Sequence, residues 1–348
     1  MRVTETPTGS DAPLSARVTA PEILPHTSHP DVAVWRGATA ADIDAIHAVV
    51  AAADRVDHPT WVTPREDVAD TFELAGVDHL TDTALGFAAD GTPVAVGSAI
   101  RHPDTSEKVK VHLDGAVHPQ WRRRGIGGAL MTWQHARARQ LLAASDLTLP
   151  GEVHVYVHDG NDGAVVLAER LGMTTERWFT TMVRDMAHPI SEPVALEGVR
   201  MLAFAPEWDE ATRVARNDAF RDHWGSLPTP PERWAQFTGG RFLRADLSTL
   251  AIVDGRVVAF CLASVNEDDW VTLGASNAYI DLIGVVRDSR GRGLAPRVIA
   301  RTLRAIAGAG LAKAVLDVDT ASPTGANTLY EGLGFVPTER DRVLVARM

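Results

Sequence analysis

The fold of this chain is decided by the stretch HPQWRRRGIGGALMTWQHARARQLL, which runs from His118 to Leu142. Three arginines stand before a glycine-rich turn, and the turn leads straight into a helical pattern. Glycines allow left-handed backbone conformations and let a ligand approach the main chain closely. N–H groups at the start of a helix, helped by the helix dipole and by arginine charge, bind phosphate. The stretch therefore predicts a site for a phosphate or pyrophosphate group.

The same order of features returns in VVRDSRGRGLAPRVIARTLRAI, residues Val285 to Ile306. Neither turn matches the P-loop pattern G-x-x-x-x-G-K-[ST] or the dinucleotide pattern G-x-G-x-x-G. An arginine- and glycine-rich turn can also be no more than a solvated helix start. We favour the phosphate site because there are two copies, each after a strand-like segment, KVKVHLDGAV in one case and AYIDLIGVV in the other.

The two turns belong to a larger internal repeat. The segment VLAERLGM, residues 166–173, matches TLYEGLGF, residues 328–335. In each copy the glycine is expected to end a short helix in a left-handed conformation. Each half also holds a strand–turn–strand pattern around an Asp-Gly pair, at residues 90–91 and 254–255. The chain is therefore expected to contain two similar modules in tandem.

The modules are expected to fold as separate domains. Each one alternates strand and helix patterns, which predicts a mixed α/β (α+β) class with a mixed central sheet flanked by helices. The expected divisions are a flexible tail at 1–32, an N-terminal domain at 33–187, a linker at 188–198 and a C-terminal domain at 199–348. Two prolines in the linker interrupt periodic structure. One large α/β domain is the alternative.

The composition limits the classes of function. The 348 residues carry a formal net charge of −11 and are 45% hydrophobic. This acidic balance argues against nucleic acid or an anionic membrane surface as a partner, since both require an excess of Lys and Arg. The single cysteine, Cys261, allows neither a disulfide framework nor a cysteine-based zinc site. Because the sequence also lacks the apolar core of a signal peptide and a run long enough to span a membrane, a cytoplasmic location is expected.

The pattern [Q/R]-x-x-G-x-[G/A] between a strand and a long helix, followed by LYEGLGF, resembles the acyl-CoA site of the GNAT (GCN5-related) N-acetyltransferases. The resemblance covers both modules and implies acetyl-CoA as co-substrate, with no metal. The tandem layout is similar to that of the mycothiol synthases, an actinobacterial family. The resemblance implies CoA contacts from one set of residues in each module: Val285, Val286, Arg290, Gly291, Arg292, Gly293, Leu294 and Ala295 in the second, and Val117, Arg122, Arg123, Arg124, Gly125, Ile126 and Gly127 in the first.

The modules differ where the family keeps the tyrosine that protonates the departing thiolate. Tyr330 occupies this position in the second module and Ala168 in the first. A methyl group cannot donate a proton, so the second module is the expected catalyst and the first is expected to be degenerate or structural. Tyr330 could instead be an aromatic plug between helix and sheet. The second module also has Pro323 where the family often has an asparagine, as at Asn161, which puts a side-chain contact to the pantetheine in doubt.

The expected reaction is direct attack of a primary amine on the thioester in a ternary complex. A backbone N–H near Val285 or Val286 is expected to stabilise the oxyanion. Asp281 is the predicted base, acting directly or through water, but it could equally be a structural carboxylate. The alternative bases are the carboxylates after the preceding strand, Glu267, Asp268 and Asp269.

The acceptor is expected to be a small-molecule amine. His223 and Trp224 lie between the first two helices of the second module, a region that covers the acceptor cleft in this family, and we predict that they contact the acceptor. A tryptophan there could also belong to a helical core. His154 and His158 share one face of a strand but have no third ligand nearby, so no metal site is predicted. The contrasting hypothesis is a non-catalytic acyl-CoA sensor or scaffold, and the protein is expected to be a monomer or homodimer.

Overall fold

The structure is a computed structural model of the chain. It describes residues 12–25, 29–58, 62–74, 76–103, 105–191, 194–224, 226–321 and 325–348, without the side chains of Asp269 and Thr272. Within these ranges, no helix is both long enough and apolar enough to cross a membrane.

Helices and strands alternate along the whole described chain. In chain order they are α1 (Leu14–Arg17), β1 (Val34–Arg36), α2 (Ile43–Asp57), α3 (Arg65–Thr71), α4 (His79–Asp82), β2 (Thr83–Phe87), β3 (Pro93–Arg101), β4 (Val109–Val117), α5 (Ile126–Ala143), β5 (Gly151–His158), α6 (Asp162–Arg170), β6 (Thr174–Asp185), β7 (Arg200–Ala203), α7 (Asp209–Ala219), α8 (Pro231–Gly239), β8 (Thr249–Val253), β9 (Arg256–Ser264), α9 (Asp269–Leu273), β10 (Asn277–Val285), α10 (Leu294–Gly308), β11 (Lys313–Asp319), α11 (Ala326–Gly332) and β12 (Val336–Arg347).

The chain forms two compact units that exchange their last strands. The first unit contains the chain up to Trp178 together with Asp341–Met348, and the second contains Phe179–Arg340. In the first unit, the second part of β12 pairs antiparallel with β5. In the second unit, residues Phe179–Asp185 of β6 pair antiparallel with β11. The sequence placed the division at the linker 188–198 instead, because β6 and β12 are both 12 residues long and neither pattern shows which strand it will pair with.

The first unit is a mixed sheet with strand order β1-β2-β3-β4-β5-β12. The β4–β5 pair is parallel and the other neighbours are antiparallel. Helices α2 and α5 pack on β3 and β4. Alternate residues of β4 and β5, among them Val111 and Val153, are buried in a cluster with Leu142 of α5. The predicted hairpin around Asp90-Gly91 is confirmed as the β2–β3 pair.

Part of the expected flexible tail belongs to the first unit. Leu14 is fully buried in the same cluster, and its N–H donates to the Leu147 carbonyl at 2.9 Å. Arg17 donates to the Met348 carbonyl at 2.6 Å. Residues 14–18 are therefore docked rather than flexible. Leu14 and Val18 are four residues apart, so they share one face of the short helix, and both side chains are buried in the first unit. Residues 1–11 and 26–28 lie outside the described ranges.

The second unit repeats this arrangement with strand order β7-β8-β9-β10-β11-β6. Here β10–β11 is the parallel pair and the other neighbours are antiparallel. Helix α7 packs on β9 and β10, and α10 packs on β8, β9 and β10. The β8–β9 hairpin turns at Asp254 and Gly255, both with left-handed φ (48° and 74°), as a two-residue hairpin requires. The predicted mixed sheets flanked by helices are thus confirmed in both units.

In each unit the two parallel strands separate before they end. Strands β4 and β5 pair as far as Leu113 and Val155. Strands β10 and β11 pair as far as Tyr279 and Val315. The remaining residues at the carboxyl ends of these strands border a gap in each sheet. In β10 the separation coincides with a β-bulge at Asp281, between Ile280 and Leu282, and a bulge bends a strand and re-aims its side chains.

Candidate active site

The predicted phosphate turn of the second unit lies directly after β10. A 3₁₀ turn, Arg287–Ser289, follows the strand, and Gly291 and Gly293 then adopt φ values of 75° and 69°. Helix α10 begins at Leu294. The first N–H groups of a helix have no intrahelical acceptor, so those of α10 are available to an anion at this end of the gap.

The first unit has the same turn with one difference. Arg123 stands where the second unit has Gly291, and it adopts the left-handed φ of 62°. Gly125 (φ 97°) precedes α5 as Gly293 precedes α10. A Cβ added to Gly127 would meet Leu167 at 3.5 Å, an ordinary contact, which explains why Ala295 can occupy the corresponding place.

The first arginine of each turn is hydrogen-bonded to its own unit. Arg122 donates from Nε to the Val117 carbonyl at 3.0 Å and binds both carboxylate oxygens of Asp57 at 2.7 Å. Arg290 likewise reaches the Val285 carbonyl at 3.4 Å and Asp222 at 3.0 Å.

Arg290 also donates to the Ala219 carbonyl, at the end of α7, at 2.9 Å. The hydrogen bond from Arg290 lowers the pKa of Asp222. The guanidinium groups of Arg122 and Arg290 therefore tie each turn to its own unit, and their contact with CoA stays a prediction. Arg123 and Arg292 are exposed.

Only one of the two predicted oxyanion donors faces the gap. The N–H of Val286 donates to the Val258 carbonyl at 3.0 Å, so it is already used within the sheet. Successive N–H groups of a strand point in opposite directions, so the N–H of Val285 is directed toward the gap beside β11. The first unit has the same arrangement. The N–H of His118, which corresponds to Val286, donates to the Val94 carbonyl, and Val117 corresponds to Val285.

Tyr330 and Ala168 occupy equivalent places in the two units. The Ala168 carbonyl accepts the N–H groups of Leu171 and Met173, and the Tyr330 carbonyl accepts those of Leu333 and Phe335, all at 3.0–3.2 Å. This match supports the sequence pairing of the two positions.

The Tyr330 side chain lies in the apolar core of the second unit and is 8% exposed. Its ring lies edge-on to that of Phe335 at 6.1 Å. Burial raises the pKa of Tyr330, and so does the neighbouring Cys261. The phenol therefore keeps its proton at neutral pH. Pro323, which the sequence singled out near this helix, lies outside the described residues.

Asp281, the predicted base, is the extra residue of the bulge in β10. Its Oδ2 atom is buried. Burial raises the pKa of Cys261 to about 12, and the charge of Asp281 also raises it. Cys261 is fully buried next to Thr302 of α10, so the Asp281 carboxylate is associated with the α10 side of the sheet. The alternative bases Glu267 and Asp268 are exposed at the end of β9.

A polar cluster that the sequence reasoning missed lies where β10 and β11 separate. The phenol of Tyr279 donates to Asp317 Oδ2 at 2.5 Å, and the hydroxyl of Thr181 donates to Asp317 Oδ1 at 2.6 Å. Its signal in the sequence is an aspartate between apolar residues in AVLDVD, which places it on the opposite face from Leu316 and Val318.

His223 and Trp224, the predicted acceptor contacts, lie near β6 in the second unit. The ring of Trp224 is 6.5 Å from that of Phe179 on β6, and the ring of His223 is 5.4 Å from that of Phe220. His223 Nδ1 is 3.1 Å from the Trp224 carbonyl oxygen. The segment after α7 thus forms an aromatic wall, half-buried rather than part of a helical core.

The N-terminal segment covers part of the turn in the first unit. His29 Nε2 is 2.6 Å from the carbonyl oxygen of Arg124 and lies 3.6 Å from where a Cβ on Gly125 would stand. Asp31 forms an ion pair with Arg124 at 3.4 Å. This turn therefore already has a carboxylate and an imidazole as neighbours.

The sheet gap and glycine turn that occur once in each unit agree with two matches to one protein-family model. The model of the acetyltransferase (GNAT) family matches residues 50–173 and again residues 209–335. The chain belongs to the GNAT acetyltransferase family. It is a tandem member and an acyltransferase enzyme, and enzymes of this family use acetyl-CoA.

This GNAT acetyltransferase matches curated relatives over most of their length. It is 31% identical over 343 residues to a mycothiol acetyltransferase of Salinispora arenicola, which covers 94% of this chain and 95% of the relative. A mycothiol acetyltransferase of Streptomyces avermitilis is 31% identical, with 77% and 80% covered.

Among solved structures, a GCN5-related N-acetyltransferase from Sphaerobacter thermophilus matches with a TM-score of 0.67 and 25% identity, covering 90% of this chain and 95% of that one. A tandem GNAT protein from the clavulanic acid biosynthesis pathway matches with a TM-score of 0.64 and 19% identity, covering 90% and 98%. The second likeness concerns the fold alone.

Proposed function

We propose that the second unit transfers the acetyl group of acetyl-CoA to a primary amine of a small molecule by direct attack in a ternary complex. The observation that carries the proposal is the gap between β10 and β11, which runs from the Asp281 bulge to a turn with two left-handed glycines. A pyrophosphate on the turn would leave the pantetheine arm to extend along the gap, with the thioester near the point where the strands separate.

Each chemical task then has a candidate group. The inward-facing N–H of Val285 would stabilise the tetrahedral oxyanion, and one such donor is worth about 3–4 kcal/mol. Tyr330 would protonate the departing thiolate. A lysine-like amine has a pKa of about 10.4 and arrives mostly protonated, so a base is also needed, and Asp281 is the residue that the sequence predicts for it.

The first unit is proposed to bind CoA weakly or structurally and not to turn over an acceptor. Ala168 supplies no proton where Tyr330 supplies one. The turn is also occupied in part by His29, and Asp31 places a negative charge beside Arg124. Both features disfavour an anionic ligand compared with the turn of the second unit.

The names of the relatives suggest one specific acceptor as a second candidate. Mycothiol acetyltransferases cover most of this chain at 31% identity, so the non-acetylated form of mycothiol is the second candidate acceptor, beside amines in general.

A thiol-release assay with acetyl-CoA tests the proposed acetyl transfer and the candidate acceptors. The acceptor panel would be the non-acetylated form of mycothiol, glucosamine, spermidine, kanamycin and L-lysine, with Tyr330→Phe as the matched control for the second unit. Turnover with at least one amine is expected. If none of these acceptors releases thiol above the hydrolysis rate, the proposed function is wrong.

A further inference from the structure

The carboxylate of Asp317 stands close to the point where β10 and β11 separate. Asp317 is the second residue of β11 beyond the last paired position, Val315. Each of its oxygens accepts a hydrogen bond from a hydroxyl group, Oδ2 from Tyr279 at 2.5 Å and Oδ1 from Thr181 at 2.6 Å. The two hydroxyls fix the position of the carboxylate.

Asp317 faces the side of the sheet that carries the aromatic wall. Its neighbours in β11, Leu316 and Val318, are buried in the apolar core of the second unit, whereas Asp317 is exposed. Side chains alternate along a strand, so Asp317 lies on the opposite face of β11 from Leu316 and Val318. Residues that pair across antiparallel strands share a face. Asp319, two residues after Asp317, pairs with Phe179 of β6. The ring of Phe179 contacts that of Trp224 in the aromatic wall.

The other carboxylates nearby are less suited to receive a proton from an acceptor. Asp281 has a buried oxygen and is associated with Cys261 on the α10 side. Asp319 shares the face of Asp317 but is only 3% exposed, and it accepts the N–H of Ala321 at 2.9 Å. Asp317 combines exposure, a fixed position and the acceptor face.

We propose that Asp317 is the base of the acetyl transfer, with Tyr279 and Thr181 as its positioning residues; this rests on the proposed function of the second unit. A neutral amine attacks the thioester carbon, the N–C bond forms, and the nitrogen becomes positively charged. Asp317 takes one proton from that nitrogen. The C–S bond breaks, its electron pair goes to sulfur, and sulfur receives a proton from Tyr330. Solvent then carries a proton from Asp317 to the Tyr330 phenolate, which restores both groups.

The first unit has different chemistry at the same two places. When the extra bulge residue Asp281 is allowed for, the pair His112–His154 corresponds to the pair Tyr279–Val315. Tyr156 lies two residues after His154, as Asp317 lies two residues after Val315. The rings of His112 and Tyr156 stack at 6.2 Å. A phenol thus replaces the carboxylate, so the first unit differs from the second at the proposed base as well as at the proposed acid.

The test compares Asp317→Asn with Asp281→Asn in the full chain, using the best acceptor of the panel. For each variant kcat is measured against pH, and acetyl-CoA affinity and melting temperature are measured beside it. Asp317→Asn is expected to lower kcat by about 10²-fold or more, the usual size of a base contribution, with acetyl-CoA affinity retained. Asp246→Asn, an exposed carboxylate paired with Arg244, is the matched control and is expected to leave kcat unchanged.

The variant Tyr279→Phe tests whether Tyr279 positions the Asp317 carboxylate for catalysis or only stabilises the fold. Loss of a donor to the ionised carboxylate raises the pKa of that carboxylate, so the acidic limb of the kcat profile should move to higher pH by about one unit. Thr181→Val should act in the same direction.

The outcomes are distinct. If Asp317→Asn keeps its kcat and pH profile while the wild type turns over, Asp317 is not the base and the proposed function stands. If Asp281→Asn alone abolishes turnover, the base is Asp281. If Tyr279→Phe lowers only the melting temperature, the cluster is a structural clamp. If the wild type releases no thiol with any acceptor, the proposed function fails and this proposal with it.

Discussion

Gly293→Glu tests whether the turn of the second unit holds the pyrophosphate. Gly293 has a φ of 69°, so any side chain there costs about 1–2 kcal/mol of stability in the left-handed region. A Cβ would stand 2.6 Å from Nη1 of Arg297, the far end of a flexible side chain that can move aside. The stability loss should therefore be modest, and it is the same in the free and the bound protein.

The added charge acts on affinity instead. A carboxylate about 5 Å from a phosphate charge, at an effective dielectric constant of about 20, is repelled by about 3 kcal/mol. This weakens CoA binding on the order of 100-fold. Gly293→Gln is the matched control, because it has the same bulk and backbone strain without the charge.

Calorimetric titration with CoA measures the difference. Both variants are made in a Gly125→Glu background, so that binding to the turn of the first unit does not mask the result. The Gln variant should bind on the order of 100-fold more tightly than the Glu variant. Equal affinities for the Glu and Gln variants would show that no phosphate sits at this turn.

Three further changes have outcomes set by the structure. Tyr330→Phe should lower kcat by about 10²-fold, the lower end of the general-acid range, because a buried phenol with a raised pKa is a weak acid; unchanged kcat with chemistry rate-limiting would make it a core residue only. Asp42→Asn should cost about 2 kcal/mol at pH 7, since the hydrogen bond from Arg36 lowers the pKa of Asp42 from 3.8 to about 2. That contribution is present above pH 4 and is lost as the pH falls toward 2, so urea denaturation of wild type and variant should converge near pH 2. Arg123→Gly should raise the free energy of unfolding by up to about 1 kcal/mol, because it relieves the left-handed φ of 62°; an unchanged urea midpoint would mean that the strain is offset elsewhere.

The sequence predicted the features that depend on local patterns. The left-handed turn residues Gly293 and Gly255 were visible because glycine is the residue that such turns require. The helices after the turns and the two hairpins follow from periodicity and turn residues within a few positions. The internal repeat added to this evidence, since a motif found twice in the same order is much harder to explain as chance.

The sequence could not show the features that depend on distant partners. The ion pair of Arg122 was not predicted, because its carboxylate partner Asp57 lies 65 residues away. Asp317 was overlooked because Tyr279 and Thr181, which identify it, are 38 and 136 residues distant. The strand exchange was also hidden, because a strand pattern specifies which face is buried but not which strand is its neighbour.

Thiol release from acetyl-CoA shows which unit carries the acetyl transfer. It is measured for Gly125→Glu and Gly293→Glu side by side, with the best acceptor of the panel and after both variants are shown to be folded. We expect the Gly125 variant to keep most of the wild-type turnover and the Gly293 variant to lose nearly all of it at the same acetyl-CoA concentration. Loss of turnover in the Gly125 variant, with the Gly293 variant active, would assign catalysis to the first unit instead.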